Sequence, residues 1–445
     1  MSHHVTFNDL PQGGEKFEPA KGSKLIGTLG LLGLVGLAAS AYFFYANTDT
    51  FAYSWLFAIF FVFTFVVGGC FWILLHSASN SSWGVAVRRI WENLANMVIP
   101  LALLTSPLLI PAVQSPLYEW MNHHRAAAKQ ASEHGGTVRE ALHHMAADNP
   151  HLHVLVSKFG YMNLTEHFGA FTLSSAFSWQ VRFVLYFIIL WVIASTLRGR
   201  SVKQEQDGDI KHTIWSRQFS CIVLLPFALT VTFAAYDWLV GLDYNWFSTM
   251  WGVYIFAGCA WSSMAVSILV VSWLRSLGYL QKVVTDEHYH LMGKLLFAFT
   301  VFWAYISFSQ YFLIWYANIT EETRFYLTRN TEEWRYVSIF ILLGHFIGPF
   351  LFLLSQKLKK NPVVISVGCI WILFMHLVDI YWIVIPERGP SLGKGVFVSG
   401  AWVQDLAALL AVFGTMGFLY LRSLSKFSLY PWRDPRLIES VNVVN

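Results

Sequence analysis

Ten runs of apolar residues constrain this chain more than any motif in it. They cover roughly residues 25–45, 54–76, 94–113, 178–197, 218–240, 247–274, 294–317, 334–355, 363–385 and 402–421. A helix rises about 1.5 Å per residue, so about 20 apolar residues cross a hydrocarbon layer ~30 Å thick. The runs therefore predict ten membrane-crossing helices and an all-α polytopic fold. Composition agrees: of 445 residues 56% are hydrophobic and 13% charged, against about 25% charged in soluble domains.

The chain divides into a polar tail, 1–23, five helices within 24–240, five more within 241–422, and a second polar tail, 423–445. The tail before the first run argues against a cleavable signal. The third run carries Pro100, Pro107 and Pro111, each of which removes a backbone donor, so this helix is expected to bend. About two thirds of the 30 Lys and Arg residues fall in the tails and in the loops after the second, fourth, sixth and eighth runs. The opposite loops hold few, among them Arg324, Arg329 and Arg388. By the positive-inside rule both termini are expected on the cytoplasmic side of a bacterial inner membrane, and the turn between Asp237 and Ser248 on the outer side.

The loop at 114–177 stands apart. Two short helices are expected at 117–132 and 137–147, with Asn149-Pro150 ending the second. Half of the 16 histidines lie in the loop: His123, His124, His134, His143, His144, His151, His153 and His167. Adjacent helical residues diverge by about 100°, so the His123-His124 and His143-His144 pairs do not converge on one ion. A solvated or partner-contacting surface is the expectation, and no metal is assigned. Cys70, Cys221, Cys259 and Cys369 lie in apolar runs without CxxC spacing, so neither an iron–sulfur nor a haem c pattern is present. Nucleotide-binding and Ser-His-Asp patterns are absent as well, and no nucleic-acid partner is expected.

Chemistry must then come from ionisable groups inside the runs, where each is costly and functional by default. Four stand out: Asp237 at the end of the fifth run, His345 within the eighth, and His376 with Asp379 in the ninth. His376 and Asp379 are three residues apart and share a helix face. His345 and His376 sit at similar depths on antiparallel helices. Three readings stay open: axial ligands of a b-type haem, with Gly344, Gly348 and Gly368 making room; a polar chain that carries protons or hydrogen-bonds a quinone head group; or a contact that fixes helix packing. Asp237 is either an interfacial carboxylate or part of a proton or quinone site. Arg182, near the same face, either pairs with such an acid or meets lipid head groups.

Several stretches resemble a known family. AAYDWLVGLDYNWFSTMWGVYIFAG (234–258), FWAYISFSQYFLIWYANITEET (302–323), GHFIGPFLFLLSQKLKKNP (344–362), WILFMHLVDIYWIVIP (371–386) and RSVKQEQDGD (200–209) are similar to the NrfD-like integral membrane subunits of bacterial alternative complex III, in particular to the ActF (quinone-binding subunit 2) type. The resemblance spans the chain. It departs at Thr320, where the family has Pro, and at Val240-Gly241-Leu242, where it has Met-Ser-Leu. It implies two four-helix bundles, helices two to five and six to nine, flanked by the first and last. It further implies a subunit of a quinol:cytochrome c oxidoreductase with no cofactor of its own beyond a quinone, alongside partners that include a sister NrfD-like subunit, an iron–sulfur subunit, cytochrome c subunits and a terminal oxidase. It suggests a proton path in such a subunit, and His345, His376, Asp379 and Asp237, set apart by their burial inside the runs, are the expected proton-handling or quinone-facing groups. The rival readings are a purely structural anchor of that complex and a stand-alone transporter.

Overall fold

The structure, a computed structural model, describes residues 4–162, 175–388 and 401–444. Its described residues form helices and turns, with one isolated bridge, between Lys16 and Ser428. Ten helices are long and apolar enough to cross a membrane: α1 Ser23–Ala46, α2 Thr48–Ala78, α3 Arg88–Leu109, α4 Phe177–Asp207, α5 Lys211–Leu242, α6 Trp251–Ser276, α7 Asp286–Ala317, α8 Glu333–Leu354, α9 Pro362–Arg388 and α10 Ala401–Ser423. The ten runs thus become ten helices, and the chain is an all-α multi-pass membrane protein.

Two of these helices build the centre. α2 is buried along nearly its whole length and packs on α6. On one side α2 gathers α3, α4 and α5; on the other α6 gathers α7 and α9, against which α8 packs. α1 and α10 pair with each other and lie against α2. Small residues set the close crossings. A Cβ on Gly68 of α2 would sit 2.1 Å from the Cys259 carbonyl oxygen of α6, and one on Gly36 of α1 would sit 2.2 Å from the Ala411 nitrogen of α10. Helices in lipid gain little from burying apolar surface against each other, so close backbone approach is the main source of their attraction.

Proline shapes two helices. In α3 the regular helix Arg88–Ala95 stops, and a second begins at Val98. Pro100 lies four residues after Asn96, gives that carbonyl no N–H and crowds it with its ring. In α8 the stretch Leu342–Ile347 opens into a wide π turn. Here Pro349 stands four residues after His345 and has the same effect on the His345 carbonyl. α4 and α5 run beyond the apolar runs that predicted them: 200–207 is helical, and the turn comes at Gly208, whose φ of 72° suits a residue without Cβ.

Both termini lie on one face. The Leu429 amide donates to the Glu15 carbonyl at 2.7 Å, and the Val5 amide to Asn442 Oδ1 at 2.9 Å. The α6–α7 loop joins them, with Leu280 N donating to Glu15 Oε2 at 2.6 Å and Lys282 Nζ to the Asp9 carbonyl at 2.9 Å. We call this the terminal face. On the opposite face Glu119–His134 and Val138–Asp148 form two helices, the second opened by Thr137 and Glu140 capping each other and closed at Asn149. The neighbouring histidines do diverge. His124 is buried against Phe159 and Trp120, and burial, aided by the charge of His123, pulls its pKa down to about 4. His123 turns to Tyr244 and Glu119. His167 lies outside the described residues.

Gly68→Leu is expected to destabilise the folded protein by about 1–3 kcal/mol or more through overpacking, read as a lowered unfolding midpoint in detergent. Gly27→Leu, whose Cβ meets nothing within 4 Å, should leave the midpoint unchanged.

Candidate functional site

The second bundle holds a buried polar cluster at its centre. His345, His376 and Asp379 place one nitrogen or oxygen each within 4.8 Å of one another. All three residues are at most 1% exposed. The two imidazole centroids are 6.4 Å apart, and His345 Nε2 is 4.0 Å from Asp379 Oδ2. That distance is too long for a hydrogen bond but within reach of one small side-chain shift or one bridging water.

The surroundings orient each group. The His345 ring lies between two indoles, with its centroid 3.7 Å from Trp303 and 4.2 Å from Trp261. Neither of its nitrogens has a hydrogen-bond partner among the described residues. The wide turn in α8 positions this ring, and wide turns of this kind recur at functional sites. Trp371 Nε1 of α9 donates to the Gly344 carbonyl at 2.9 Å and steadies the same turn.

His376 has an assignable tautomer. Its Nε2 is 2.9 Å from Thr64 Oγ1, a hydroxyl whose hydrogen goes to the Phe61 carbonyl at 2.7 Å. Ser262 Oγ also donates to that hydroxyl, at 3.3 Å. Thr64 can then only accept from His376, so Nε2 carries the proton. Nδ1 is left a bare acceptor, with no partner. A Cβ on Gly258 would come within 2.9 Å of this ring, so α6 approaches it directly. Asp379 Oδ1 accepts a short hydrogen bond from the Tyr254 hydroxyl of α6. All four helices of the second bundle, with Thr64 from the first, therefore frame a cluster in which proton acceptors face each other with their nearest atoms underused.

A haem does not fit here. Two of the three glycines expected to leave room are filled: a Cβ on Gly344 would lie 2.7 Å from Met375 Sδ, and one on Gly368 2.3 Å from Phe352, while one on Gly348 would meet only ordinary contacts, the Leu343 carbonyl oxygen at 3.5 Å and Trp371 Nε1 at 3.8 Å. α8 and α9 also touch directly, Trp371 Nε1 of α9 donating to the Gly344 carbonyl of α8. A divalent metal ion fits the atoms in number but not in charge. One carboxylate would leave a net positive charge in the hydrocarbon layer, where burial of uncompensated charge costs several kcal/mol. Protons, which neutral imidazole and carboxylate exchange without net charge build-up, suit the cluster better.

Asp237 belongs elsewhere. It is the penultimate residue of the regular part of α5, and Arg182 of α4 grips it with two bonds, Nε to Oδ2 at 2.7 Å and Nη2 to Oδ1 at 2.9 Å. The Tyr186 hydroxyl donates at 2.6 Å and that of Tyr161 at 3.0 Å. Of the two roles open to Arg182, the structure selects pairing with Asp237. Every lone pair of this carboxylate is engaged by the first bundle and by Tyr161 of the 114–177 loop, and among the described residues no hydrogen bond or ion pair joins it to Asp379. The four residues singled out in the sequence thus split into a trio and Asp237, which pairs with Arg182 instead. Sequence reasoning missed Tyr254, Trp261, Trp303 and Thr64. Pro349, four residues after His345, was a readable signal for the unusual turn; nothing comparable marks the two indoles.

Beside the Asp237 pair, a cleft of about 200 Å³ opens at the opposite face, lined by Trp120, Lys158, Tyr161, Tyr236, Trp246 and Phe247 among others. Lys158 Nζ donates to the Tyr244 carbonyl at 2.7 Å, and burial lowers its pKa, with Asp243 pulling the other way. The buried Trp120 indole N–H has no partner. The walls are apolar and the free donors few, which suits an apolar molecule carrying a carbonyl acceptor.

No protein-family model matches the chain, and no curated protein matches it.

Removing one member of the Asp237 pair should cost about 3–5 kcal/mol, because the other charge stays buried and unpaired. Asp237→Leu and Arg182→Leu are each expected to lower the unfolding midpoint sharply. The double variant should recover most of the loss; a double variant as unstable as the sum of the two would show that the pair does not act as a unit.

Proposed function

We propose that the chain is a membrane subunit of a quinol-oxidising respiratory complex, of the ActF-type, NrfD-like class of alternative complex III, and that it handles protons at His345, His376 and Asp379. One observation carries this reading: the stretches that carry the resemblance converge. Tyr254 comes from 234–258, Trp303 from 302–323, His345 from 344–362, and His376 with Asp379 from 371–386. In the fold these residues surround one buried cluster. Stretches far apart in sequence that meet around unpartnered nitrogens are what a proton-handling site requires, since transfer needs titratable groups at or near hydrogen-bond spacing.

In this reading the chain is a subunit rather than a catalyst on its own. Electrons pass from a menaquinol-type quinol towards cytochrome c or a terminal oxidase through partners that hold iron–sulfur clusters and haem c, and a sister NrfD-like subunit stands beside it. The membrane is the bacterial inner membrane. The excess of Lys and Arg on the terminal face supports cytoplasmic termini. The cleft at the opposite face, with the free Trp120 N–H, is the quinone-facing surface of the reading. Asp237 supports that surface by holding α4 to α5.

The pairing of Asp237 also favours a second reading, a structural anchor, in which the His–Asp cluster only fixes helix packing. Asp379→Asn and His345→Gln separate the two. Proton handling predicts intact assembly with partners and quinol turnover lowered on the order of 10²-fold, within the usual range for loss of a positioned acid or base, together with reduced proton release. Wild-type turnover and release in both variants would favour the anchor.

A further inference from the structure

α7 carries a stripe that its own fold leaves uncovered. Tyr305, Ser309, Phe312 and Tyr316 are spaced four, three and four residues apart, with Phe308 beside them, so they share one side of the helix. Tyr305 is 65% and Tyr316 76% exposed; Phe308 and Phe312 are exposed as well, and Ser309 is partly so. The opposite side holds the buried residues Trp303, Ile306, Gln310 and Ile314.

The depth of this stripe is what sets it apart. Trp303 stacks on His345, so Tyr305, two residues on, lies within about 3 Å of the level of the buried trio. The apolar run 294–317 has Tyr305 at its middle, about 17 Å of helix from either end. A phenol is too short to carry its hydroxyl from there to the surface of a layer ~30 Å thick. Among the described residues neither the Tyr305 hydroxyl nor that of Ser309 has a hydrogen-bond partner. Thr300 of the same helix shows the usual remedy, returning its hydrogen to the Leu296 carbonyl at 2.9 Å. The exposed faces of neighbouring helices are plain hydrocarbon: Val367, Ile370 and Phe374 on α9, Leu225 and Leu229 on α5.

Hydrocarbon offers a hydroxyl nothing, whereas another helix supplies acceptors. Serine also lets two helix backbones come close, and large rigid aromatic side chains are what protein interfaces collect. Lipid chains keep their oxygens at the membrane surface, far from Tyr305. We propose that this stripe of α7 is the docking face for a membrane-spanning helix of a partner subunit, which accepts the Tyr305 hydrogen and packs closely at Ser309. The inference rests on the reading of the chain as a subunit, and not on its proton chemistry.

The test places p-benzoylphenylalanine at Phe308 or Phe312 of the full chain in its native membrane, and at Phe374 of α9 as an exposed aromatic control. Mass spectrometry then identifies what is cross-linked. Both α7 positions are expected to form adducts with one membrane span of a single co-purifying polypeptide, and Phe374 none with that span. Tyr305→Phe should weaken retention of that polypeptide about three- to tenfold, the worth of one hydrogen bond between membrane helices. Ser309→Leu should weaken it at least as much. Neither change should lower the unfolding midpoint of the chain purified alone. Adducts with lipid or quinone alone at Phe308 and Phe312 would overturn the docking face; other polypeptides that still co-purify would leave the subunit reading standing. Cross-links to a second copy of this chain would overturn the partner in favour of a homodimer. Unchanged retention in both variants would overturn the contact assigned to Tyr305 and Ser309.

Discussion

Inside a hydrocarbon layer every polar group must find its partner within the protein, and the fold follows from how that demand is met. Helices satisfy their own backbones. Side chains and proline-broken turns cannot, so they are drawn to the places where helices touch. The contact that makes most such places is the crossing of α2 and α6. Gly68 lets the two backbones approach, and around that crossing Thr64, Ser262, Ser263 and the Trp72 indole exchange hydrogen bonds. The polar cluster of the second bundle borrows one of them, Thr64, to fix the tautomer of His376. The dry interior of one bundle is thus tuned by a hydroxyl of the other.

Two buried carboxylates show how the same demand yields different chemistry. Asp237 meets a guanidinium in bidentate geometry together with two phenols, and nothing about it is left to exchange. Asp379 meets one phenol, with the Trp303 indole N–H also facing it, and, across 4.0 Å, an imidazole with no partner of its own. A saturated carboxylate holds helices together; an undersatisfied one beside bare ring nitrogens is fit for transfer. The distinction lies in the partners, because both residues are buried to a similar degree.

Much of the fold was legible in sequence because hydropathy is written residue by residue. The ten helices lie where apolar runs place them, and Pro100 marks the break in α3. Partnership was less legible. The i,i+3 spacing of His376 and Asp379, and the matched depth of His345, pointed to a trio. Arg182 stood as one of two possible outcomes for a cation near Asp237, and only the packing of α4 on α5 decides between them. Trp303 and Trp261 left no trace, since an aromatic residue in a membrane helix faces lipid as readily as a buried ring. The spare room attributed to Gly344 and Gly368 was misread for the same reason: a glycine shows that something comes close, not what does, and here Met375 and Phe352 do.

The central claim is that His345, His376 and Asp379 act together while Asp237 acts apart. A double-mutant cycle on proton-coupled quinol turnover of the assembled complex tests it most directly. The account predicts that His345→Gln and Asp379→Asn are coupled by about 0.5–3 kcal/mol, as residues sharing one network are, and that Asp237→Asn combines additively with Asp379→Asn to within about 0.5 kcal/mol. Additive effects for the first pair, or coupling for the second, would contradict it.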